Sequence, residues 1–111
     1  MHEHSVALSI VETALRHAAG RKVESLTIEA GLFSGVFADS LRFYLELLFE
    51  EQGQPIPNFH LSSPPARCRC ECGSEYPLSV VLDGCPSCGG HRRTLLTGRD
   101  CVLVSMEVAD A

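Results

Sequence analysis

Five of the six cysteines of this chain lie within 21 residues, from Cys68 to Cys88, and this cluster limits the possible folds more than any other feature. A segment this short and this poor in large apolar side chains cannot bury enough surface to fold by hydrophobic packing alone. Exported proteins solve this problem with disulfides, but the first residues, MHEHS, resemble no secretory signal. We therefore expect a cytoplasmic protein whose clustered cysteines bind a metal ion.

The clustered cysteines form two groups that resemble the paired knuckles of a zinc ribbon, CRCECG at 68–73 and CPSCGG at 85–90. Two tight turns that each present two thiolates can close a tetrahedron around Zn(II), with Zn–S bonds of about 2.3 Å. The spacing predicts Cys72, Cys85 and Cys88 as three of the ligands. The fourth is open between Cys68, in a CxxxC pair, and Cys70, in a CxC pair. Cys68 is favoured, because one extra turn residue strains a chelate less than one missing residue.

Other uses of these residues fit the sequence less well. A redox CxxC needs its cysteine at the start of a helix in a thioredoxin-like unit, and the surrounding prolines and glycines predict no such helix. A catalytic zinc keeps an open position with three protein ligands, whereas four available cysteines favour a closed structural site. His91 could replace a thiolate but is more simply a solvated loop histidine, and Cys101 is more simply a small buried apolar residue.

The rest of the chain shows alternating helix and strand patterns. Helices are predicted at 5–19 and about 39–52, strands at 23–30, 59–62 and 101–108, and a glycine-containing loop at 31–37. Ser5 is a candidate N-cap of the first helix, and Asp39 or Ser40 of the second. In the last strand, alternation predicts that one face carries Val102, Val104, Met106 and Val108.

Because a strand follows the cysteine-rich segment, we expect the chain to return to its first sheet after an insertion. The predicted fold is α+β, with two helices on one face of a three-stranded sheet and a small zinc ribbon inserted before the last strand. The predicted domains are residues 1–65 with 99–111, and residues 66–98.

Charge and motifs exclude several function classes. The net charge is −5, and no apolar run approaches the roughly 20 residues needed to span a bilayer, so we expect neither a nucleic-acid nor a membrane partner. No phosphate-binding loop, dinucleotide motif or nucleophile elbow is present, and we expect no enzyme activity. The alternative is a zinc-ribbon module that binds nucleic acid or takes part in transcription, because residues 66–100 hold five arginines against four acidic residues.

The first residues offer a second kind of metal site. The α-amine of Met1, the amide nitrogen of His2 and the imidazole Nδ1 of His2 can close adjacent five- and six-membered rings around one ion. Three nitrogens in nearly one plane suit Ni(II) or Cu(II) better than Zn(II). A carboxylate from Glu3 or Asp39, or the ring of His4, could complete the shell.

The residues at both ends of the chain together resemble the HypA family of hydrogenase nickel-incorporation proteins. The start, MHEHSVALSIVETALRHA, is similar to the family's Met-His-Glu, any residue, Ser and an apolar helix. The segment GLFSGV at 31–36 looks like the family's glycine and Ser-Gly-Val before a helix. The two knuckles after a linker, and the strand that follows Gly98, complete the resemblance over nearly the whole chain.

The resemblance implies roles for individual residues. His2, with the amine of Met1, resembles the nickel site, and Glu3 is similar to the family residue that assists binding or delivery. Cys72, Cys85 and Cys88 match three of the four zinc ligands of the family. The first knuckle departs from the family's CxxC, so the resemblance leaves the fourth ligand open.

The function implied by the resemblance is that of a nickel metallochaperone with a structural zinc site. Such a protein holds Ni(II) transiently and delivers it to the hydrogenase large-subunit precursor, and some members also serve urease. The implied partners are a HypB-type GTPase and that precursor, and a homodimer is left open.

Overall fold

The computed structural model of the protein describes residues 3–110, and within them it contains two helices and six strands. The helices are α1 (Glu3–Ala18) and α2 (Ala38–Glu51). The strands are β1 (Val23–Ala30), β2 (Asn58–Ser62), β3 (Ala66–Cys70), β4 (Glu75–Leu78), β5 (Arg93–Thr97) and β6 (Cys101–Val108). Among the described residues, no helix is long and apolar enough to cross a bilayer.

Three of the strands form a sheet, here called the helix-covered sheet, with β1 between β2 and β6. The pairing of β1 with β2 is parallel, and that of β1 with β6 is antiparallel. Parallel neighbours need a crossover connection, and α2 lies in the chain between them. The last strand, β6, returns to this sheet by pairing with β1, and the predicted α+β fold is confirmed.

The main hydrophobic core lies between the two helices and one face of this sheet. On β1, alternation directs Leu26, Ile28 and Ala30 into this core. The helices contribute a stripe repeating every three or four residues. Its buried members are Val6, Ala7, Ile10, Val11, Ala14 and Ala18 on α1, and Leu41, Leu45, Leu48 and Phe49 on α2.

Both helix starts differ from the capping predicted from sequence. Helix α1 begins at Glu3, so that Ser5 lies within its first turn and is not the N-cap. Helix α2 has Phe37 as its N-cap residue, and Asp39 lies in the first turn. A phenylalanine side chain has no acceptor for the N–H groups of the first turn, and the N–H of Phe37 itself donates to the Glu3 carboxylate at 3.5 Å.

The face predicted for β6 is correct only in its second half. Thr27 pairs with Ser105 and Ile28 with Leu103, so Val104 is an extra residue and forms a β-bulge. The bulge exchanges the two faces of the strand at this point. Cys101, Leu103, Met106 and Val108 consequently pack against the core, whereas Val102 and Val104 are exposed, the latter to 52%.

The other three strands form a second sheet, here called the ribbon sheet, with β3 between β4 and β5. Both pairings are antiparallel. Its small core is separate from the main one and contains Ala66, Cys68, Cys70, Tyr76, Leu78 and Cys85, with Leu32 and Leu95 packed against it. The predicted domain limits, 1–65 with 99–111 and 66–98, stay a prediction.

The two sheets meet where the ends of β1 and β6 approach each other. The N–H of Gly31 donates to the carbonyl of Asp100, and the N–H of Phe33 to the carbonyl of Gly98, each at 2.8 Å. A Cβ at Gly31 would overlap the carbonyl of Gly98, so only glycine permits this approach. The segment after β1 is therefore fixed against the segment before β6.

Candidate metal centre

Four thiols converge at one end of the ribbon sheet. The Sγ atoms of Cys70, Cys72, Cys85 and Cys88 all lie within 4.8 Å of one another. The Cys70 and Cys88 sulfurs are 3.4 Å apart, and those of Cys72 and Cys85 are 3.8 Å apart. Four sulfurs bound at 2.3 Å to a tetrahedral zinc ion would be separated by about 3.8 Å. This group is therefore close enough to bind a metal ion such as zinc.

The first pair is presented by the turn that connects β3 to β4. The N–H of Cys70 donates to the carbonyl of Ser74 at 2.7 Å, and the N–H of Gly73 donates to the carbonyl of Cys70 at 2.9 Å. Gly73 has a φ of +98°, a conformation that disfavours side chains. Cys70 and Cys72 are thus held on either side of Glu71 by one tight turn.

The second pair lies in a similar turn that begins at Cys85. The carbonyl of Cys85 accepts a hydrogen bond from the N–H of Gly89 at 2.7 Å, and the N–H of Cys85 donates to the carbonyl of Gly90 at 2.9 Å. Gly89 has a φ of +75°, so glycine again follows the second cysteine for a conformational reason.

The preference for Cys68 over Cys70 in the first knuckle is reversed by this geometry. Strand β3 continues through Cys70, and two residues of strand cover about 6.6 Å, which separates Cys68 from the turn. Cys68 pairs with Tyr76 and Leu95 on the neighbouring strands and is fully buried. It belongs to the core of the ribbon sheet, and Cys70 takes the position beside the other thiols.

Backbone N–H groups point at two of the sulfurs. The N–H of Ser87 donates to Sγ of Cys85, and the N–H of Gly90 donates to Sγ of Cys88, each at 3.4 Å. Such donors stabilise negative charge on sulfur and orient it, as the outer shell of a metal site does. The turns therefore favour thiolates at positions from which they could bind a cation lying between them.

The thiols also perturb one another's protonation. Hydrogen bonds from the backbone of Ser74 and from the Cys70 thiol lower the pKa of Cys72 to about 6. For Cys70, the backbone N–H of Cys72 acts to lower the pKa, but burial and the thiols of Cys88, Cys72 and Cys85 outweigh it and raise this pKa to about 12. Negative charge in the cluster thus concentrates on some of its sulfurs while others keep their protons.

One side of the cluster is open. Cys70 and Cys85 are buried, whereas Cys72 and Cys88 are exposed. A cleft of about 530 Å³ adjoins the thiols and is lined by Cys70, Glu71, Cys72, Cys88, Gly90, His91 and Arg92. Four cysteine sulfurs, spacing close to tetrahedral, N–H donors to sulfur and an entry path together fit Zn(II).

Two side chains, His91 and Arg93, hold the loop before the second knuckle through contacts that the sequence does not predict. Arg93 donates to the carbonyls of Val81 and Asp83, each at 2.7 Å, and the His91 ring contacts the carbonyl of Leu82 at 3.0 Å. His91 is therefore an exposed loop histidine that lies outside the thiol group. No sequence signal marks these contacts, because their acceptors are backbone carbonyls.

The predicted nickel ligands Met1 and His2 lie outside the described residues. Glu3 is half-buried at the start of α1, and its carboxylate accepts from the N–H of Phe37, the N-cap residue of α2. The exposed ring of His4 packs edge-on against Tyr44, with ring centroids 5.3 Å apart. Asp39 is exposed in the first turn of α2. The contact of Glu3 with Phe37 thus places the start of α1 beside the start of α2.

Comparison with known proteins identifies one family over almost the whole chain. Residues 1–108 match the family model HypA, described as hydrogenase/urease nickel incorporation metallochaperones. A hydrogenase maturation factor HypA from Geotalea daltonii is 41% identical over 103 residues, which cover 90% of this chain and 92% of that protein. Another, from Synechococcus sp., is 38% identical over 97% of this chain and 99% of that protein.

Two solved structures share the fold. The solution structure of the nickel metallochaperone HypA from Helicobacter pylori covers 97% of each chain with a TM-score of 0.66 and 20% identity. A second HypA solution structure has a TM-score of 0.67, also at 20% identity, and covers 98% of this chain and 97% of that one. The arrangement of both sheets and both helices is thus a known one.

Proposed function

This chain belongs to the HypA family of hydrogenase/urease nickel-incorporation metallochaperones, and on that premise we propose how it handles its two metals. The chain binds Ni(II) transiently at its N-terminus and holds Zn(II) permanently at Cys70, Cys72, Cys85 and Cys88. The observation that carries the zinc assignment is the convergence of these four sulfurs within 4.8 Å.

The two sites offer different donor atoms, sulfur in the ribbon and nitrogen at the N-terminus. Four thiolates in a tetrahedral arrangement suit Zn(II), whereas amine, amide and imidazole nitrogens in one plane suit Ni(II). In this proposal the amine of Met1 and the amide and ring of His2 form the planar set. Glu3, at the start of α1, is a weaker ligand than this planar set, and Asp39, in the first turn of α2, is a possible further one.

A site for cargo has to release its ion, so it should be incomplete and easily reached. A chain end satisfies this need better than a site enclosed by the core. The thiol site has the opposite requirement, since the small ribbon core gains its stability from the metal. We therefore assign transfer to the N-terminus and a structural role to the ribbon.

We propose that the recipient is the hydrogenase large-subunit precursor, with urease as a further client, and that a HypB-type GTPase takes part in the transfer. We place this transfer in the cytoplasm and assign the chain no catalytic step of its own. Self-association into a homodimer would present two nickel sites, and its test is sedimentation with and without Ni(II).

The alternative, a nucleic-acid module, finds little support in the ribbon arginines. Arg69 is paired with Glu75 at 3.0 Å, and Arg93 is committed to backbone carbonyls. Within residues 66–98, Tyr76 is the one phenylalanine, tyrosine or tryptophan, and it is buried, so this segment offers single-stranded bases no aromatic surface of its own for stacking.

The decisive experiment is a Ni(II) titration of untagged protein whose thiols are saturated with zinc. His2→Ala, or acetylation of the Met1 α-amine, should each lower nickel affinity at least about tenfold, because each removes part of the planar chelate. His17→Ala is the matched control, since it removes an exposed imidazole at the far end of α1, and it should leave the affinity within about twofold. An acetylated chain that binds Ni(II) as tightly as the natural one would disprove the amine–imidazole site.

A further inference from the structure

The loop at 31–37 packs against both hydrophobic cores of the molecule. Leu32, near its start, packs against the ribbon core that contains Cys68, Cys70 and Cys85. Val36, near its end, is buried in the main core beneath the helices. Only three residues of chain separate the two contacts, so one short segment is held by both cores.

The loop is also fixed by its backbone. Gly31 and Phe33 donate to the carbonyls of Asp100 and Gly98, and Ser34 donates to the carbonyl of Gly31 at 2.9 Å, which closes a turn around Leu32. The hydroxyl of Ser34 accepts from the N–H of Val36 at 3.2 Å. With these bonds formed, the side chain of Leu32 is held in the direction of the ribbon core.

The far end of the loop leads to the start of α2 and to Glu3. The carbonyl of Phe37 accepts the first helical bond, from the N–H of Leu41 at 2.9 Å. The N–H of Phe37 donates to the Glu3 carboxylate. A path of contacts thus runs from the ribbon core through Leu32, Val36 and Phe37 to Glu3, a residue adjoining the nickel site proposed above.

We propose that Leu32 is a positioning residue that links the thiol cluster to the start of α2 and to Glu3. The ribbon core is small: eight side chains contribute to it, including Leu32 and two of the proposed zinc ligands, Cys70 and Cys85. Metal binding at the thiols holds this core together. Leu32 has a fixed packing site only while the core is intact, so the order of the loop depends on the metal at the thiols.

The inference rests on the proposed zinc site, and its test uses amide hydrogen exchange, which needs no nickel. Exchange is measured on the full chain, loaded with zinc and after zinc removal by a chelator. Zinc removal should lower the protection of the Phe33, Ser34 and Leu41 amides at least tenfold. In Leu32→Ala the same amides should be weakly protected already and should change less than twofold on zinc removal.

Three further variants and one internal reference separate a link from general damage. Leu96→Ala shortens a neighbouring leucine of the ribbon sheet that is partly exposed and lies outside the core, and it should behave as the natural chain does. Leu32→Met preserves apolar volume and should restore the zinc response, and Leu32→Val should give an intermediate one. The Leu26 amide, in the centre of β1, should stay protected in every variant and so report an intact main fold.

The outcomes distinguish the two proposals. If one zinc is bound per chain but the loop amides ignore its removal, or if Leu32→Ala keeps the tenfold response, the link is overturned while the zinc site stands. If metal analysis finds no ion at the thiols of the natural chain, both proposals are overturned.

Discussion

Replacing Cys70 with serine removes one of the four sulfurs of the cluster, and its effect on zinc affinity can be estimated. Zn(II) binds to small structural sites with about 10–16 kcal/mol at pH 7. An equal share among four ligands is about 3 kcal/mol, and every 1.4 kcal/mol is a factor of ten, so Cys70→Ser should weaken zinc binding at least about a hundredfold. A serine hydroxyl does not ionise at this pH and recovers little of the loss.

Cys68→Ala provides the matched control, since this cysteine lies two residues away on the same strand and is fully buried. Removing its sulfur leaves a small cavity that costs about 1 kcal/mol of ribbon stability. Because folding and zinc binding are coupled, that cost appears as a loss of zinc affinity of about fivefold at most. The two variants should therefore differ by more than a factor of ten.

Zinc affinity is measured by competition with a chromogenic chelator, and the number of thiolates by the sulfur-to-cobalt charge-transfer absorption of the Co(II)-substituted protein. Cys70→Ser should lose part of this absorption, and Cys68→Ala should retain all of it. The reasoning would be refuted if Cys68→Ala released zinc more readily than Cys70→Ser.

Three further outcomes are expected. Deleting Val104 removes the bulge and leaves β6 with regular alternation, so the midpoint of thermal unfolding should shift little. Deleting Thr27 should destabilise the protein strongly, because it turns Leu26 away from the core. Equal effects of the two deletions would contradict the assigned register. Leu45→Ala should cost about 2–5 kcal/mol in urea denaturation, because Leu45 is fully buried in the main core, and a loss below about 1 kcal/mol would contradict its packing. Burial raises the pKa of the Cys101 thiol, so iodoacetamide at pH 8 should alkylate it more slowly in the folded zinc-loaded protein than in the denatured chain, as mass spectrometry can check.

The helix-covered sheet could be predicted because its elements bury one face against a large core. In α2, Leu41, Leu45, Leu48 and Phe49 recur at helical spacing, and the pattern alone locates the helix to within about a turn. The face of β6 could not be predicted, because the bulge at Val104 depends on the register with β1 and leaves no mark in the alternation of β6 itself.

The three ribbon strands are not predicted from the sequence, for a different reason. In β3, alternation places Ala66, Cys68 and Cys70 on one buried face, with arginines on the other. Cysteines considered only as metal ligands conceal this pattern, although Cys68 acts as a small apolar strand residue. This alternation extends the strand to Cys70, so the knuckle begins where the strand ends and Cys70 is favoured as the ligand. The contact between Glu3 and Phe37 joins residues 34 positions apart, and local patterns do not register such contacts.

The loop held by Arg93 and His91 presents Val80, Val81 and Leu82 to solvent, and Leu82 is 85% exposed. The two holding side chains bind only main-chain oxygens there, which every amino acid supplies. Substitutions at these three positions therefore need not disturb the turns that present the thiols. Residues 80–82 can therefore be replaced without loss of these hydrogen bonds, whereas replacing Arg93 would release the loop whatever side chains it carries.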